Sequence, residues 1–367
     1  MTDSAAALAD ERLRPPRQGD DDEGRALLLD APECGRWPLL LSLGEVIFDR
    51  LGWWPPTEAS ASGAIIGAMI GTRRDAAGRP AQRPSRFPDA GTTLLRAAGG
   101  QAPEIWCRLD GGPHGFLSIA AHAHADALSV EVRYGGVDIL ADPGTYCYHG
   151  EPEWRSYFRS TIAHNTVEVD GRSQSRDGGP FLWLSHANAR EIDVRDAGET
   201  AEWIAEHDGY LALEPPARHR RTVRLDRSAR ALDIIDEIDG GHAVRLAFHL
   251  GPDVRAKLDG TGAVLRWPDA VTPGAARLAL PGGLEWTLHR GETNPILGWY
   301  SSGLERRVPA FTLLGCGRPA AGEPLRTRLE FVDADMLAES AFTRSAVSWG
   351  TSDARVRKMP GIKTEAG

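Results

Sequence analysis

The chain has 367 residues with 41% hydrophobic and 25% charged side chains, an ordinary globular composition with enough apolar material for a sizeable core. Its net charge of −9 argues against a nucleic-acid-binding protein, since such proteins present a strongly basic surface. Residues 1–18 contain no apolar segment of the secretory kind, and no run approaches the ~20 apolar residues of a membrane span. The sequence as written therefore predicts a cytoplasmic chain without membrane insertion.

The first part of the chain is predicted to be partly helical. Residues 1–24 are polar and charged and are expected to be loop or disordered. Residues 36–54 repeat their apolar side chains near every 3.6 positions, which predicts a helix, and residues 64–70 form a shorter apolar segment of helical type. A linker rich in Pro, Arg and Gly follows at residues 73–88. We therefore place a first, partial helical unit at residues 1–82.

The rest of the chain reads as strands. The 41 glycines and 25 prolines favour many short strands joined by turns, and the pairs Gly135-Gly136 and Gly240-Gly241 are hairpin signals. A dozen or more short strands predict an antiparallel β-sandwich over residues 83–335, followed by an irregular tail at 336–367. The strands are expected at 93–97, 105–109, 116–121, 129–134, 137–141, 166–169, 220–225, 231–238, 243–250, 263–267, 278–280, 284–289, 311–314 and 325–332.

Three histidines and an aspartate suggest a metal site. If the strand at 116–121 continues, His122 and His124 lie on one face of it, because side chains two positions apart in a strand share a face. The hairpin at Gly135-Gly136 brings Asp142 back beside His124, and His164 adds a third imidazole. Two imidazole nitrogens and a carboxylate suit Zn²⁺. Spacing alone also allows histidines that are satisfied by hydrogen bonds, with Asp126 as a turn carboxylate or as a partner that orients a histidine.

The segment between Asp142 and His164 is read as a loop dense in Tyr, Arg and His. Tyr146 or Tyr157 could act as a general acid or base if a nearby cation lowered the pKa of its phenol. Arg159 could pair with a carboxylate or sulfate through two parallel hydrogen bonds. The alternative is an ordered loop held by aromatic packing.

Five short motifs in a fixed order resemble the heparinase II/III-like proteins, which are bacterial polysaccharide lyases. The resemblance covers roughly residues 85–335 and shows faintly at residues 18–25. The motifs are FPDAG at 87–91, DGGPHG at 110–115, HAHADALS at 122–129, DPGTY at 142–146, and FRST with AHNT at 158–166.

The resemblance implies an N-terminal (α/α) toroid followed by an antiparallel β-sandwich. His124, Asp142 and His164 fall on the family's zinc ligands, and His122 falls on a histidine that helps neutralise the carboxylate of a bound uronate. The implied reaction is β-elimination on an acidic polysaccharide or oligosaccharide such as alginate or a glycosaminoglycan. A base removes the C5 proton of the uronate and an acid protonates the departing C4 oxygen. We assign His122, Tyr146 and Tyr157 as candidate catalytic residues, and Arg159 and Asn165 as candidates for substrate binding.

One departure from the family limits this interpretation. About 80 residues precede the predicted sandwich, too few for a toroid, so the catalytic Tyr of that domain is expected to be absent. The alternatives are a lyase whose activity in this form is open, a non-catalytic zinc-stabilised carbohydrate-binding module, and a zinc hydrolase using Glu151 or Glu153 as base. A second copy of the chain is a candidate partner, and family members often work in the periplasm or cell envelope.

Overall fold

The computed structural model describes residues 1–21, 29–31, 34–71, 78–97, 102–117, 119–260 and 262–332. The predicted tail at 336–367 lies outside these residues. Met1–Leu337 form one compact unit, and the boundary placed after residue 82 stays a prediction. Within the described residues, no helix combines the length and the apolar character needed to cross a bilayer.

The described part of the chain contains four α-helices: α1 (Thr2–Leu8), α2 (Arg36–Ile47), α3 (Ala61–Ile70) and α4 (Pro152–Arg159). The loop predicted for the N-terminus is wrong at α1, whose alanines pack with Leu41 and Trp54 in a small apolar cluster. The helix α2 ends before the predicted residue 54 because Asp49 takes a left-handed backbone conformation with φ 54°. Ser60 caps α3 by accepting a hydrogen bond from the backbone N–H of Gly63.

The strands are short and numerous, as the Gly and Pro content predicts. They are β1 (Arg86–Phe87), β2 (Thr92–Ala97), β3 (Ile105–Asp110), β4 (Val130–Tyr134), β5 (Val137–Leu140), β6 (Val167–Val169), β7 (Arg176–Gly179), β8 (Leu182–Ser185), β9 (Ala189–Ala197), β10 (Thr200–His207), β11 (His219–Asp226), β12 (Ala231–Ile238), β13 (Val244–His249), β14 (Arg255–Leu258), β15 (Gly262–Trp267), β16 (Gly274–Ala279), β17 (Glu285–Arg290), β18 (Glu292–Thr293), β19 (Ile296–Leu297), β20 (Trp299–Gly303), β21 (Arg306–Pro309), β22 (Phe311–Gly317) and β23 (Leu325–Val332).

Three antiparallel sheets carry the fold. Their strand orders are β1-β2-β3-β4-β5, β17-β22-β13-β6 and β14-β15-β16-β23-β12-β11-β10-β9. A bridge between Leu140 and Leu250 joins the five-stranded sheet to the four-stranded one. Buried apolar side chains from all three sheets form one core, with Trp203, Phe248 and Leu329 among its members. The predicted mainly β, antiparallel sandwich is confirmed.

Two predictions of local structure are wrong around the candidate site. Of the strand predicted at 116–121, the described residues 116–117 and 119–121 form no strand; they are irregular and largely exposed, and Phe116 is 81% exposed. The predicted loop between Asp142 and His164 contains the helix α4, which begins at Pro152, a residue well suited to the first helical turn. Strands β7 to β10 were not predicted. Charged residues interrupt the apolar residues of β7, β9 and β10, and β8 has only four residues.

Candidate metal centre and cleft

Asp20 organises the two histidines of the HAH motif. His122 and His124 lie in an irregular segment between β3 and β4, and not on the strand that was predicted for them. The Nδ1 atom of His122 lies 3.0 Å from Oδ2 of Asp20, and Nε2 of His124 lies 3.0 Å from Oδ1. Arg155 of α4 pairs with both oxygens of the same buried carboxylate. Sequence reasoning did not single out Asp20, which lies 102 and 104 positions from its two histidine partners.

The N-terminal segment can lie this close to the backbone of the HAH motif only because a glycine precedes the aspartate. Gly19 has a φ of +57°, and a Cβ at this position would stand 2.3 Å from the carbonyl oxygen of His122. The N–H of Asp20 donates to that same oxygen at 2.9 Å. Any larger residue would push the carboxylate away from both imidazoles.

A buried cluster of ligand-type side chains lies beside His124. One ligand atom each from Asp126, Asp142 and His164 lies within 4.8 Å of the other two. The rings of His124 and His164 have centroids 5.2 Å apart. Asp142 accepts a hydrogen bond from Nδ1 of His164 at 2.8 Å and another from the backbone N–H of Gly144 at 2.9 Å. The structure thus brings two of the three predicted ligands, Asp142 and His164, together with Asp126, which had been read as a turn or orienting carboxylate. The third predicted ligand, His124, lies beside this group.

Three atoms of this cluster suit a cation. Nδ1 of His124, Nε2 of His164 and Oδ2 of Asp126 are buried without a hydrogen-bond partner among the described residues. Leaving a buried polar atom unpaired costs about 1–3 kcal/mol. A cation bound to all three atoms would offset this cost. Because Asp20 and Asp142 accept protons from the opposite ring nitrogens, each imidazole in its neutral form keeps a lone pair on its unpaired nitrogen. Burial alone would lower the pKa of His164, but the charge and hydrogen bond of Asp142 raise it. Two imidazole nitrogens and carboxylate oxygens are a donor set that fits Zn²⁺.

The electrostatics of the cluster follow from its burial. Burial lowers the pKa of His124 to about 4, so its imidazole is neutral and able to bind a metal. Burial and then the charge of Asp110 raise the pKa of Asp126 to about 7. Burial alone would raise the pKa of Asp142, but the charge and hydrogen bond of His164 hold it well below its usual range. Asp142 is therefore the ionised carboxylate of the cluster.

His122 is the member that a ligand can reach. Its side chain is 65% exposed, whereas the side chains of Asp20 and His124 are fully buried. It lines a cavity of about 480 Å³ together with His114, His124 and Asp126. The imidazole is therefore held at Nδ1 by a buried carboxylate while it stands at the wall of an open cleft.

The two predicted catalytic tyrosines are packed into the fold. Tyr146 hydrogen-bonds to Glu151, and burial followed by this bond raises the pKa of its phenol to about 12. Burial also raises the pKa of Tyr157, which lies in an apolar cluster with Trp154 and Phe158. A raised pKa disfavours a phenolate base at neutral pH. The catalytic role of both residues stays a prediction that these surroundings do not favour.

The two predicted substrate-binding residues differ in what they offer a ligand. Asn165 is buried, and its amide group donates to the carbonyls of Val130 and Ala141 and accepts from the N–H of His249. No N–H of that amide is left for a substrate. Arg159 is buried as well, but only one of its guanidinium nitrogens has a hydrogen-bond partner among the described residues.

Comparisons with known proteins agree on one family. The family model for the heparinase II/III-like C-terminal domain matches residues 79–330. Heparin-sulfate lyase from Bacteroides stercoris is 25% identical over 142 residues, which cover 38% of this chain and 18% of that protein.

Solved structures share the fold. A heparinase III with methylated lysines superposes with a TM-score of 0.63 at 17% identity, over 91% of this chain and 45% of that one. Heparan sulfate lyase HepC from Pedobacter heparinus gives 0.60 at 14% identity, over 89% and 45% of the two chains. The chain therefore spans less than half the length of the relatives it matches.

Proposed function

The chain belongs to the heparinase II/III-like family, whose C-terminal domain it carries over residues 79–330, and on that basis we propose that it is the β-sandwich part of a polysaccharide lyase. The proposed reaction is β-elimination on a uronate-containing acidic polysaccharide. The observation that carries the proposal is the exposed His122 held by the buried Asp20 at the wall of a cleft.

His122 is proposed to neutralise the uronate carboxylate. The C5 proton of a uronate is weakly acidic because the adjacent carboxylate repels the developing carbanion, so a cation at that carboxylate lowers the barrier. With its Nδ1–H donated to Asp20, His122 in its protonated form presents Nε2–H to the substrate. Asp20 fixes the ring's orientation. The proposal is limited to this role, since the chain spans less than half of its solved relatives.

We further propose that the buried cluster holds Zn²⁺ through His124, Asp142 and His164, with Asp126 as an additional ligand. A bound Zn²⁺ would supply a fixed positive charge behind the cleft. The support is the set of three unpaired buried atoms and the neutral state of His124. Asp20 then orients His124 through its other ring nitrogen.

Activity is tested by the ultraviolet absorbance of the C4–C5 unsaturated uronate on heparan sulfate, heparin and alginate. A rise would support the proposed reaction, and His122→Ala should then slow it by ~10²–10⁴-fold because the carboxylate loses its charged partner. His149→Ala, at an exposed histidine nearby, is the matched control. Binding without any rise would instead establish a carbohydrate-binding module, and new reducing ends without a rise would establish a hydrolase.

The metal is tested separately by elemental analysis of the purified chain. One equivalent of zinc is expected, and His124→Ala, His164→Ala and Asp142→Asn should each lose it. His289→Ala, a histidine paired with Glu292 away from the cluster, should retain it. A wild-type chain without stoichiometric metal after incubation with zinc would show that the assignment is wrong.

A further inference from the structure

Arg159 is a buried cation without a counter-ion. It is the last residue of α4 and is 1% exposed. Its Nη1 donates to the carbonyl of Gly179 at 2.7 Å, whereas Nε and Nη2 have no hydrogen-bond partner among the described residues. Its guanidinium lies 4.3 Å from the centre of the Trp183 ring, which offers an aromatic face but no negative charge.

An arginine in the preceding turn of the same helix has the carboxylate partner that Arg159 lacks. Arg155 lies four positions earlier, on the same face of α4, and forms an ion pair with Asp20. No carboxylate lies within ion-pair distance of Arg159 in the described ranges of the chain. Burial and the like charge of Arg155 lower the pKa of Arg159 to about 10, so it is still charged at neutral pH. A buried charge without a partner is costly, and an anion from outside the chain would offset that cost.

Arg159 lines a cavity that suits an oxyanion. The cavity has a volume of about 640 Å³, and its walls include two further arginines, Arg172 and Arg176, against a single carboxylate, Asp177. Serine residues and Trp183 are also part of the lining. Guanidinium forks and hydroxyl donors match the several oxygens of a sulfate group, and an indole ring can pack against a sugar.

We propose that this cavity binds a sulfate group, with Arg159 as its principal cation. The ligand is a sulfate ester carried by an acidic polysaccharide. This identification of the ligand rests on the proposed function, whereas the anion-binding site itself does not. Trp183 links the cavity to the His122 cleft, because its ring packs edge-on against His114, which lines that cleft, at 4.5 Å between centroids. The two cavities therefore lie on either side of the contact between Trp183 and His114.

The site is tested by binding alone, with chelated and with zinc-loaded protein, so that a failure of lyase activity or of the metal assignment does not bear on it. Isothermal titration calorimetry is run with sodium sulfate, with a heparan sulfate octasaccharide and with the same octasaccharide after chemical desulfation. The sulfated octasaccharide is expected to bind at least about tenfold more tightly than the desulfated one. Sodium sulfate should weaken the binding of the sulfated octasaccharide more than sodium chloride does at equal ionic strength.

Two variants locate the binding. Arg159→Gln should reduce affinity for the sulfated octasaccharide at least about tenfold, and Arg176→Gln, an exposed position in the same cavity that does not endanger folding, about threefold. Arg195→Gln, an exposed arginine on β9, makes the same charge change elsewhere and should bind as the wild type does. Binding of free sulfate without preference for the sulfated sugar would assign the site to the free ion. No sulfate-dependent binding, or unchanged binding in both cavity variants, would overturn the proposal.

Discussion

A single carboxylate, Asp20, sets the state of two histidines at the cleft. Burial by itself would raise its pKa, but the hydrogen bonds from His124 and Arg155 outweigh burial and lower the pKa to about 2. Ionised Asp20 holds the proton of His124 on Nε2 and leaves Nδ1 free. It also holds His122 at Nδ1. The residue that positions the cleft thus comes from the N-terminal segment, outside the region that the family model matches.

Asp20→Asn is expected to weaken zinc binding. The amide cannot accept from His124 and Arg155 with the strength of a carboxylate, and Arg155 is left buried without its counter-charge. Loss of such an orienting partner typically costs ~10–100-fold in metal affinity. The affinity is measured by competition with a chromophoric chelator. Asp21→Asn is the matched control, because the neighbouring carboxylate is 40% exposed and pairs with Arg36. Equal affinities in both variants would contradict the role of Asp20.

The sequence predicted the histidines of the site and Asp142, but not Asp20. His124, Asp142 and His164 were identified because their residue types are typical metal ligands and their spacing matched a family motif. Asp20 has an ordinary acidic neighbourhood, and only the folded chain shows that its carboxylate lies between two imidazoles and an arginine. Likewise, the burial that raises the pKa of Tyr157 depends on packing partners that its position in the sequence does not reveal.

A second buried network secures the segments that carry the cluster. His207 accepts at Nδ1 from the N–H of Gly209, its Nε2 lies 3.2 Å from Nδ1 of His219, and Nε2 of His219 lies 2.7 Å from Asp236. Arg221 binds the same carboxylate and also donates to the carbonyls of Leu128 and Asn165, two positions after Asp126 and one after His164. The network therefore connects β11 and β12 with the loops of the candidate metal centre.

Asp236→Asn should show how stability depends on pH. Burial alone would raise the pKa of Asp236, but the charge of Arg221 lowers it to about 2. A folded-state pKa below the unfolded value stabilises the fold above about pH 4, and this stabilisation is lost as the pH falls towards 2. The destabilisation of the variant relative to wild type should therefore shrink by about 1 kcal/mol between about pH 5 and about pH 3. Urea unfolding at both pH values gives these free energies.

The control for that experiment lies on the same strand. Asp233→Asn removes a carboxylate whose side chain is 32% exposed and pairs with the half-exposed Arg328. Surface pairs contribute about 0–1 kcal/mol, so its effect should be small at both pH values. A difference between Asp236→Asn and wild type that does not change with pH would show that Asp236 does not carry the pH dependence.

At the scale of elements, the hairpin between β4 and β5 could be predicted from the two residues of its turn. Gly135 and Gly136 both have positive φ, 58° and 69°, the conformation that two-residue hairpins favour. The prediction from this Gly-Gly pair is confirmed. The hairpin predicted at Gly240-Gly241 is wrong, because the strands on either side of it, β12 and β13, belong to different sheets. Strand positions with clear apolar alternation, such as β12, were also predicted correctly. The helix α4 was not predicted. Its eight residues make only about two turns, too few for a clear amphipathic pattern, and they lie among aromatic residues that were read as a loop.

Gly135→Ala is expected to lower the free energy of unfolding by more than the strain of a positive φ alone would. Its Cβ would stand 2.6 Å from the side chain of Thr272, so the strain of the backbone and a steric clash add. Gly198→Ala is the control, since Gly198 has the same φ of +58° but a Cβ added there would meet no atom within 4 Å. We expect a loss of about 1 kcal/mol at Gly198 and about 2–3 kcal/mol at Gly135, measured by urea unfolding. Equal losses would show that Thr272 moves aside freely.

At the scale of the whole molecule, residues 9–21 form an N-terminal strap across the five-stranded sheet. Asp10 accepts from Arg133 of β4 at 3.0 Å, and Arg14 pairs with Asp138 of β5 at 3.1 Å. Arg17 donates from its backbone to Glu131 and from its side chain to Tyr300 at 2.7 Å. The strap thus neutralises charged side chains that the sheet buries and ends at Asp20 in the cleft. The sandwich and the strap therefore depend on each other for burial of charge.

Deleting residues 1–21 should consequently damage both stability and the metal centre. Arg133 loses Asp10 and two backbone acceptors of the strap, and such loss of partners for a buried charge costs about 3–5 kcal/mol. We expect a lower melting temperature by circular dichroism and weaker zinc binding, both restored when a synthetic peptide of residues 1–21 is added. A peptide carrying Asp10→Asn and Asp20→Asn should restore neither, whereas one carrying Asp21→Asn should restore both. If the shortened chain alone retains the stability and zinc affinity of the 367-residue chain, the strap is not part of the site.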